Sequence, residues 1–281
     1  MEYALELNNV TKKYSDFTLD HISLNLPTGS ILGFVGENGA GKSTTIKLIL
    51  DTIKRQEGSI TILGEDNRNL SVKIKESIGV VFDDCCLPEV LNLKNVNHVM
   101  KGIYKQWNST LFYQYAEKFR LPETKIIKDY SRGMRMKLSL ACALSHHAKL
   151  LILDEATSGL DPVVRDEILD VFLEFIQDES NSIFISSHIT SDLEKICDYI
   201  CLIHDGHILF SEPKDHLLET YGILKCSDSD FAHITKEAVI GYRKNQFGIE
   251  VLVKKRLVTN QFIIDPATIE DIMLFYIKGK R

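Results

Sequence analysis

The sequence has no apolar run near the roughly 20 residues that a bilayer-spanning helix needs, so no helical membrane span is expected. An excess of positive charge is also missing. Thirty-three Lys and Arg stand against 39 Asp and Glu, a formal net charge of −6, so no overall basic field invites nucleic acid or an acidic membrane surface. The opening Met1-Glu2-Tyr3-Ala4-Leu5-Glu6 lacks the positive flank and apolar core of a secretory leader, and a cytosolic protein is expected. Six cysteines form no recognised metal spacing. Cys85 and Cys86 are adjacent, Cys142 sits in an apolar helical stretch, and Cys197, Cys201 and Cys226 lie further on. Cys197 and Cys201 would face each other on a helix, but the run Tyr199-Ile200-Cys201-Leu202-Ile203 is β-like. Free thiols in a reducing compartment are the expectation. Internal repeats and low-complexity segments are absent as well.

What is present is an ordinary globular balance over 281 residues, 44% hydrophobic and 26% charged. That length suggests one large domain plus an appendage. Strand-like runs cover 4–10, 18–26, 30–35, 59–63 and 78–82, with a helical spacing over 42–53. Helical patterns follow at 92–118 and 134–146, separated by the Leu121-Pro122 break. The apolar strand Leu150-Leu151-Ile152-Leu153 precedes a helix starting near Pro162, a residue type favoured at a first helical position. A strand at 182–186 and a helix at 189–196 come next. This alternation predicts a mostly parallel sheet covered on both faces. After Ser211 a short helix at 213–221, two or three strands in 239–258 and a helix at 266–278 suggest a small α+β appendage.

Chemistry concentrates in two places. Gly36-Glu37-Asn38-Gly39-Ala40-Gly41-Lys42-Ser43, followed by Thr44, has the Walker A spacing with a strand before it and a helix after it. Its glycines let backbone N–H groups turn inward around phosphate oxygens, and the helix start favours negative charge. Lys42 is expected on the β- and γ-phosphates and the Ser43 hydroxyl on Mg²⁺. The strand ending in Asp154-Glu155 supplies the second part. Asp154 is expected to hold Mg²⁺ and Glu155 to polarise the attacking water. Alone, such a pair reads as an ordinary strand-end cap; after a Walker A sequence it reads as the hydrolytic site of an ATPase.

Together with four further elements in the right order, these motifs make the chain resemble the nucleotide-binding subunit of an ATP-binding-cassette (ABC) transporter over about residues 4–218. The resemblance implies an α/β P-loop NTPase fold with a RecA-like core, an antiparallel β subdomain and a helical subdomain at about 84–147. The ABC ATPase domain would span 1–218 and the small C-terminal α+β appendage 219–281. Tyr14, within Lys12-Lys13-Tyr14-Ser15, falls where the family stacks an aromatic on adenine. Tyr130-Ser131-Arg132-Gly133-Met134 takes the place of the signature, where Ser131 and the Gly133 amide would bind the γ-phosphate held by an opposite subunit. A serine before a helix is also a plain N-cap, and the two roles are compatible. Ser158-Gly159-Leu160-Asp161 resembles the D-loop, with Asp161 at the nucleotide interface. His188, after Ser186-Ser187, resembles the switch histidine that contacts the γ-phosphate. The resemblance implies ATP and Mg²⁺ as cofactors, a second nucleotide-binding subunit (itself or a paralogue) and transmembrane permease partners. It also implies a cytoplasmic location, peripheral on the inner face of the cell membrane. No nucleic-acid partner is expected.

Two departures stand out. The family's Q-loop glutamine is replaced by Asp83, followed by Asp84; an aspartate still reaches Mg²⁺ or a bound water, with a shorter arm and a charge. Arg132 replaces a signature glycine and Met134 a glutamine, and Met134 makes no amide contacts. Arg132 reads equally as a cation near the interfacial phosphate or as a solvated side chain. This signature with an acidic Q-loop resembles a bacterial subgroup that exports peptides, antibiotics or other toxic compounds. The segment 84–103, with Cys85-Cys86-Leu87-Pro88 and Leu91, is where the family grips its membrane subunit; core packing explains these residues equally well. A soluble ABC ATPase acting on ribosomes or DNA is the alternative, but the chain has a single phosphate loop and neither a second cassette nor a coiled-coil insertion. A non-hydrolysing regulatory subunit is disfavoured by Glu155 and His188.

Overall fold

The computed structural model describes residues 2–246, 248–259 and 262–280. Met1 and Arg281, the outer ends of the two expected domains, lie outside the described residues.

A six-stranded sheet forms the centre. Ile31–Val35 pairs in parallel with Ser182–Ser187 on one side and Tyr199–His204 on the other. Leu150–Asp154 continues the parallel sheet beyond Ser182–Ser187, and Ile78–Val81 lies beyond Leu150–Asp154. His207–Pro213 closes the far edge antiparallel to Tyr199–His204. Leu150, Leu151, Ile152 and Leu153 are each 0% exposed, as expected of a strand covered on both faces. Their burial stabilises the strand by about 6–12 kcal/mol at about 1.5–3 kcal/mol per side chain, an upper estimate.

Against this core lies an antiparallel four-stranded sheet that includes Tyr3–Lys13, Thr18–Pro27 and Glu57–Ile62. Between Ile78–Val81 and Leu150–Asp154 the regular elements are helical, principally Leu93–Ile103, Ser109–Lys118 and Arg132–Leu144. Asn92, Asn108 and Ser131 cap these helices through their side chains. The expected helix at 92–118 is therefore two helices, because the Asn108 cap restarts the turn after the extended Tyr104. The helix expected at 42–53 stops at Ile49, where Asp51 adopts a left-handed backbone at φ 53°.

The C-terminal sheet pairs Tyr221–Cys226 with Gly248–Lys254 and Ile264–Pro266, and Val239–Asn245 with Gly248–Lys254. Tyr221–Cys226 and His207–Pro213 were not foreseen as strands. The second is joined to Tyr199–His204 by Asp205-Gly206, a hairpin signal readable in the sequence. The final helix, Ile269–Lys278, begins with a Thr268/Asp271 capping box. Its Ile269, Ile272 and Phe275 join the same hydrophobic cluster as the central sheet. All six cysteines are free thiols. Burial pushes Cys201 up to about 12 and Cys142 and Cys197 far above the ordinary thiol range. Among the described residues, no helix is long and apolar enough to cross a membrane.

Candidate functional site

The sheet brings the phosphate loop and the acid pair to one place. Ile31–Val35 and Leu150–Asp154 flank Ser182–Ser187 in parallel, so the loop after each strand emerges at the same end. A cavity of 360 Å³ lies there, bordered by Glu37, Asn38, Gly39, Gly41, Lys42, Ser43 and Thr44 from the phosphate loop. Asp83, Glu155 and His188 line it from the later loops.

Lys42 is buried at 6% exposure. Its ammonium donates to the Gly36 carbonyl at 2.7 Å and to the Glu37 carbonyl at 3.3 Å. A carboxylate oxygen of Glu155, Oε1, stands 3.5 Å away. These oxygens offset the cost of holding a charge out of water. Gly41 packs tightly: a methyl there would stand 2.9 Å from Leu19 and 3.1 Å from the ring of Phe17. Its φ of 117° also disfavours any side chain.

Glu155 has a left-handed backbone, φ 53°, unusual for a non-glycine residue and worth of order 1–3 kcal/mol of strain. The buried strand before it outweighs that cost several-fold. Its N–H donates to the carbonyl and hydroxyl of Ser186 at 3.1 and 3.2 Å. The Glu155 side chain spans Lys42 on one side and His188 on the other, its Oε2 lying 2.6 Å from His188 Nδ1. With Glu155 ionised, that nitrogen carries the proton and donates it. Asp154 accepts a hydrogen bond from Ser186 Oγ at 2.6 Å through Oδ1.

Other sequence candidates lie outside the cavity lining. Ser131 and Asp161 cap helices through their side chains, accepting from Met134 N at 3.2 Å and Val164 N at 3.0 Å. Gly133 packs against Val164. Ala40 is buried, its carbonyl accepting from Gly206 N at 3.0 Å. Tyr14 is 45% exposed, with the Lys12 ammonium 5.5 Å from its ring centroid. The aromatic that borders the cavity is Phe17, across the turn from Tyr14, whose N–H donates to the Phe17 carbonyl at 2.8 Å. The sequence pointed to Tyr14, and Phe17 was not among its candidates. Arg132, exposed to solvent, also borders this cavity.

A phosphate loop with a buried lysine, an acid pair and a histidine on a parallel sheet defines a P-loop ATPase. The family described as ABC transporter matches residues 19–158. The bacitracin transport ATP-binding protein BcrA of Bacillus licheniformis is 33% identical over 259 residues, 89% of this chain and 84% of that protein. The lantibiotic transport ATP-binding protein SrtF of Streptococcus pyogenes is 32% identical over 214 residues, 75% and 91% of the two chains. A dimeric ATP-binding cassette in a post-hydrolysis state, bound to ADP and Pi, shares the fold with a TM-score of 0.66 at 21% identity, over 74% of this chain and 98% of that one. The chain belongs to the ATP-binding subunits of ABC transporters. It is a transport ATPase that binds and hydrolyses ATP.

Proposed function

We propose that this chain is the motor of an exporter, closing as a dimer on ATP and driving separate permease subunits. The convergence of Lys42, Glu155 and His188 on one cavity lined by the phosphate loop carries the reading. Lys42, the loop from Gly36 to Gly41, Ser43 and Thr44 bind the triphosphate; an aromatic at the Tyr14–Phe17 turn stacks on adenine. Glu155 takes a proton from the attacking water, and His188 holds its carboxylate and senses the γ-phosphate. Ser131, Gly133 and Asp161, outside this chain's own cavity, serve the nucleotide of the facing subunit. None of the three lines this chain's own cavity, which supports a site completed by a second copy or a paralogue.

Ser43, Asp154 and Asp83 offer oxygen donors, the chemistry that Mg²⁺ selects. Few protein ligands suffice, since phosphate oxygens and water complete the shell of such an ion. Mg²⁺ would supply charge neutralisation at the phosphates.

We divide the chain into the ATPase domain, 1–218, with its helical part at about 84–147, and the appendage, 219–281. The separate C-terminal sheet supports this division. A groove of 160 Å³ beside Asp84, Cys86, Leu87 and Tyr104 supports permease docking on the helical part. The chain would then sit at the inner face of the membrane through its permease. The bacitracin and lantibiotic relatives support a peptide, antibiotic or other toxic compound as cargo. Affinity purification from native membranes, with identification of co-purifying proteins, tests the assignment. A polytopic membrane subunit is the expected partner; recovery of ribosomal proteins alone overturns it.

A further inference from the structure

The last helix ends beside the phosphate loop. Lys278 Nζ lies 2.9 Å from Glu37 Oε1, and Glu37 borders the nucleotide cavity. The other carboxylate oxygen is 3.8 Å from His204 Nδ1. Among the described residues, Lys278 is the only lysine or arginine paired with Glu37.

The position of Lys278 is held by its surroundings. Ile269 N donates to Glu194 Oε2 at 3.1 Å, tying the start of the helix to the ATPase core. The Tyr276 ring meets the Phe210 ring edge-on at 5.1 Å, and its hydroxyl lies 2.7 Å from that of Tyr221. Beyond the helix, Lys280 and Tyr242 exchange two backbone hydrogen bonds of 3.0 Å each.

Glu37 puts a negative charge at the edge of a site built for a polyanion. An unpaired carboxylate there repels the triphosphate, and a lysine beside it cancels that repulsion. We propose that Lys278 is a positioning residue for ATP: by pairing with Glu37 it neutralises this side chain and fixes it, so the C-terminal unit sets the affinity of the phosphate loop. The inference rests on the cavity being the ATP site. Both side chains are partly exposed, 58% and 39%, so the contribution is that of a surface pair. The effect falls on nucleotide affinity rather than on folding.

Steady-state ATP hydrolysis by the purified full chain tests this, with binding of a fluorescent ATP analogue as a second readout. Lys278→Ala is expected to raise KM for ATP about two- to five-fold, with kcat changed by less than about two-fold. In a Glu37→Gln background, Lys278→Ala should cause no further change in KM, because the charge to be cancelled is gone. Lys225→Ala breaks another ion pair of the C-terminal sheet, to Asp265 at 3.2 Å, and should leave KM unchanged. An unchanged KM in Lys278→Ala overturns the proposal. So does an equal rise from Lys278→Ala in the Glu37→Gln background, which would make Lys278 act on the nucleotide or the fold and not through Glu37. Lys42→Ala separates the two levels: if it binds the analogue normally, the ATP-site reading fails, whatever Lys278 does.

Discussion

Arg132 occupies the space that a side chain on Gly159 would need. A methyl at Gly159 would stand 2.9 Å from Arg132 Nη1 and 3.0 Å from Cζ. The segments around residues 132 and 159 are thus in contact, with Arg132 and Ser158 at the edge of the cavity. Gly159 also has φ 67°, so Gly159→Ala adds strain of about 1–2 kcal/mol to the clash. ATP turnover is expected to fall about tenfold in this variant. The loss should be smaller when Arg132 is already alanine; equal losses in both backgrounds would show that the contact is incidental.

Glu155→Gln keeps the shape of the side chain and removes its basicity. Turnover is expected to drop about 10²–10⁴-fold, the range of a lost general base, while ATP binding survives and an ATP-bound dimer accumulates. Size-exclusion chromatography with ATP, alongside phosphate release, measures both. Unchanged hydrolysis would remove Glu155 from the role of base.

Ser131→Arg puts a bulky cation where the facing subunit's γ-phosphate is expected. The monomer should bind ATP normally and fail to dimerise on it. Full ATPase activity in this variant would count against a shared site.

Asp83→Asn removes a charge from the cavity lining without changing its size. The Mg²⁺ concentration for half-maximal hydrolysis is expected to rise about tenfold, the scale of a disturbed outer-shell metal partner. An unchanged Mg²⁺ titration would make Asp83 a bystander at the cavity wall.

His146 is a pH-sensitive element of the helical region. It is 1% exposed, and its ring stacks on Tyr104 at 4.1 Å. Burial holds its pKa below the usual 6.5, outweighing the raising effect of the Glu76 carbonyl. The unfolded chain therefore takes up this proton more readily than the folded one. Stability is full above pH 6.5 and is lost as pH falls through that value toward the lower folded pKa. Melting temperatures from about pH 7.5 to about 5.5 should fall more steeply in the native chain than in His146→Phe. Parallel curves would show that His146 does not contribute.

Much of the site was legible because its chemistry is local. The phosphate loop from Gly36 to Ser43 is a run of adjacent residues whose backbone makes the cradle. Pro162, after the Asp161 cap, opens its helix at the position expected. Leu150 to Leu153 announced a fully buried strand, and the carboxylates at its end followed. The inner strand Tyr221–Cys226 was not legible: it is defined by pairing with Gly248–Lys254 and Ile264–Pro266, and its own pattern carries no separate signal.

The sequence by itself determined that this chain binds ATP on a P-loop and which acids end the buried strand Leu150–Asp154, since neighbouring residues dictate both. Which aromatic borders the cavity, that Arg132 borders it too, and that Lys278 reaches Glu37 were decided only by the tertiary structure. Each depends on where a side chain lands after strands and helices from distant parts of the chain have packed. Residues 37 and 278 lie at opposite ends of the sequence. Only the docking of the last helix on the central core brings their charges within 2.9 Å.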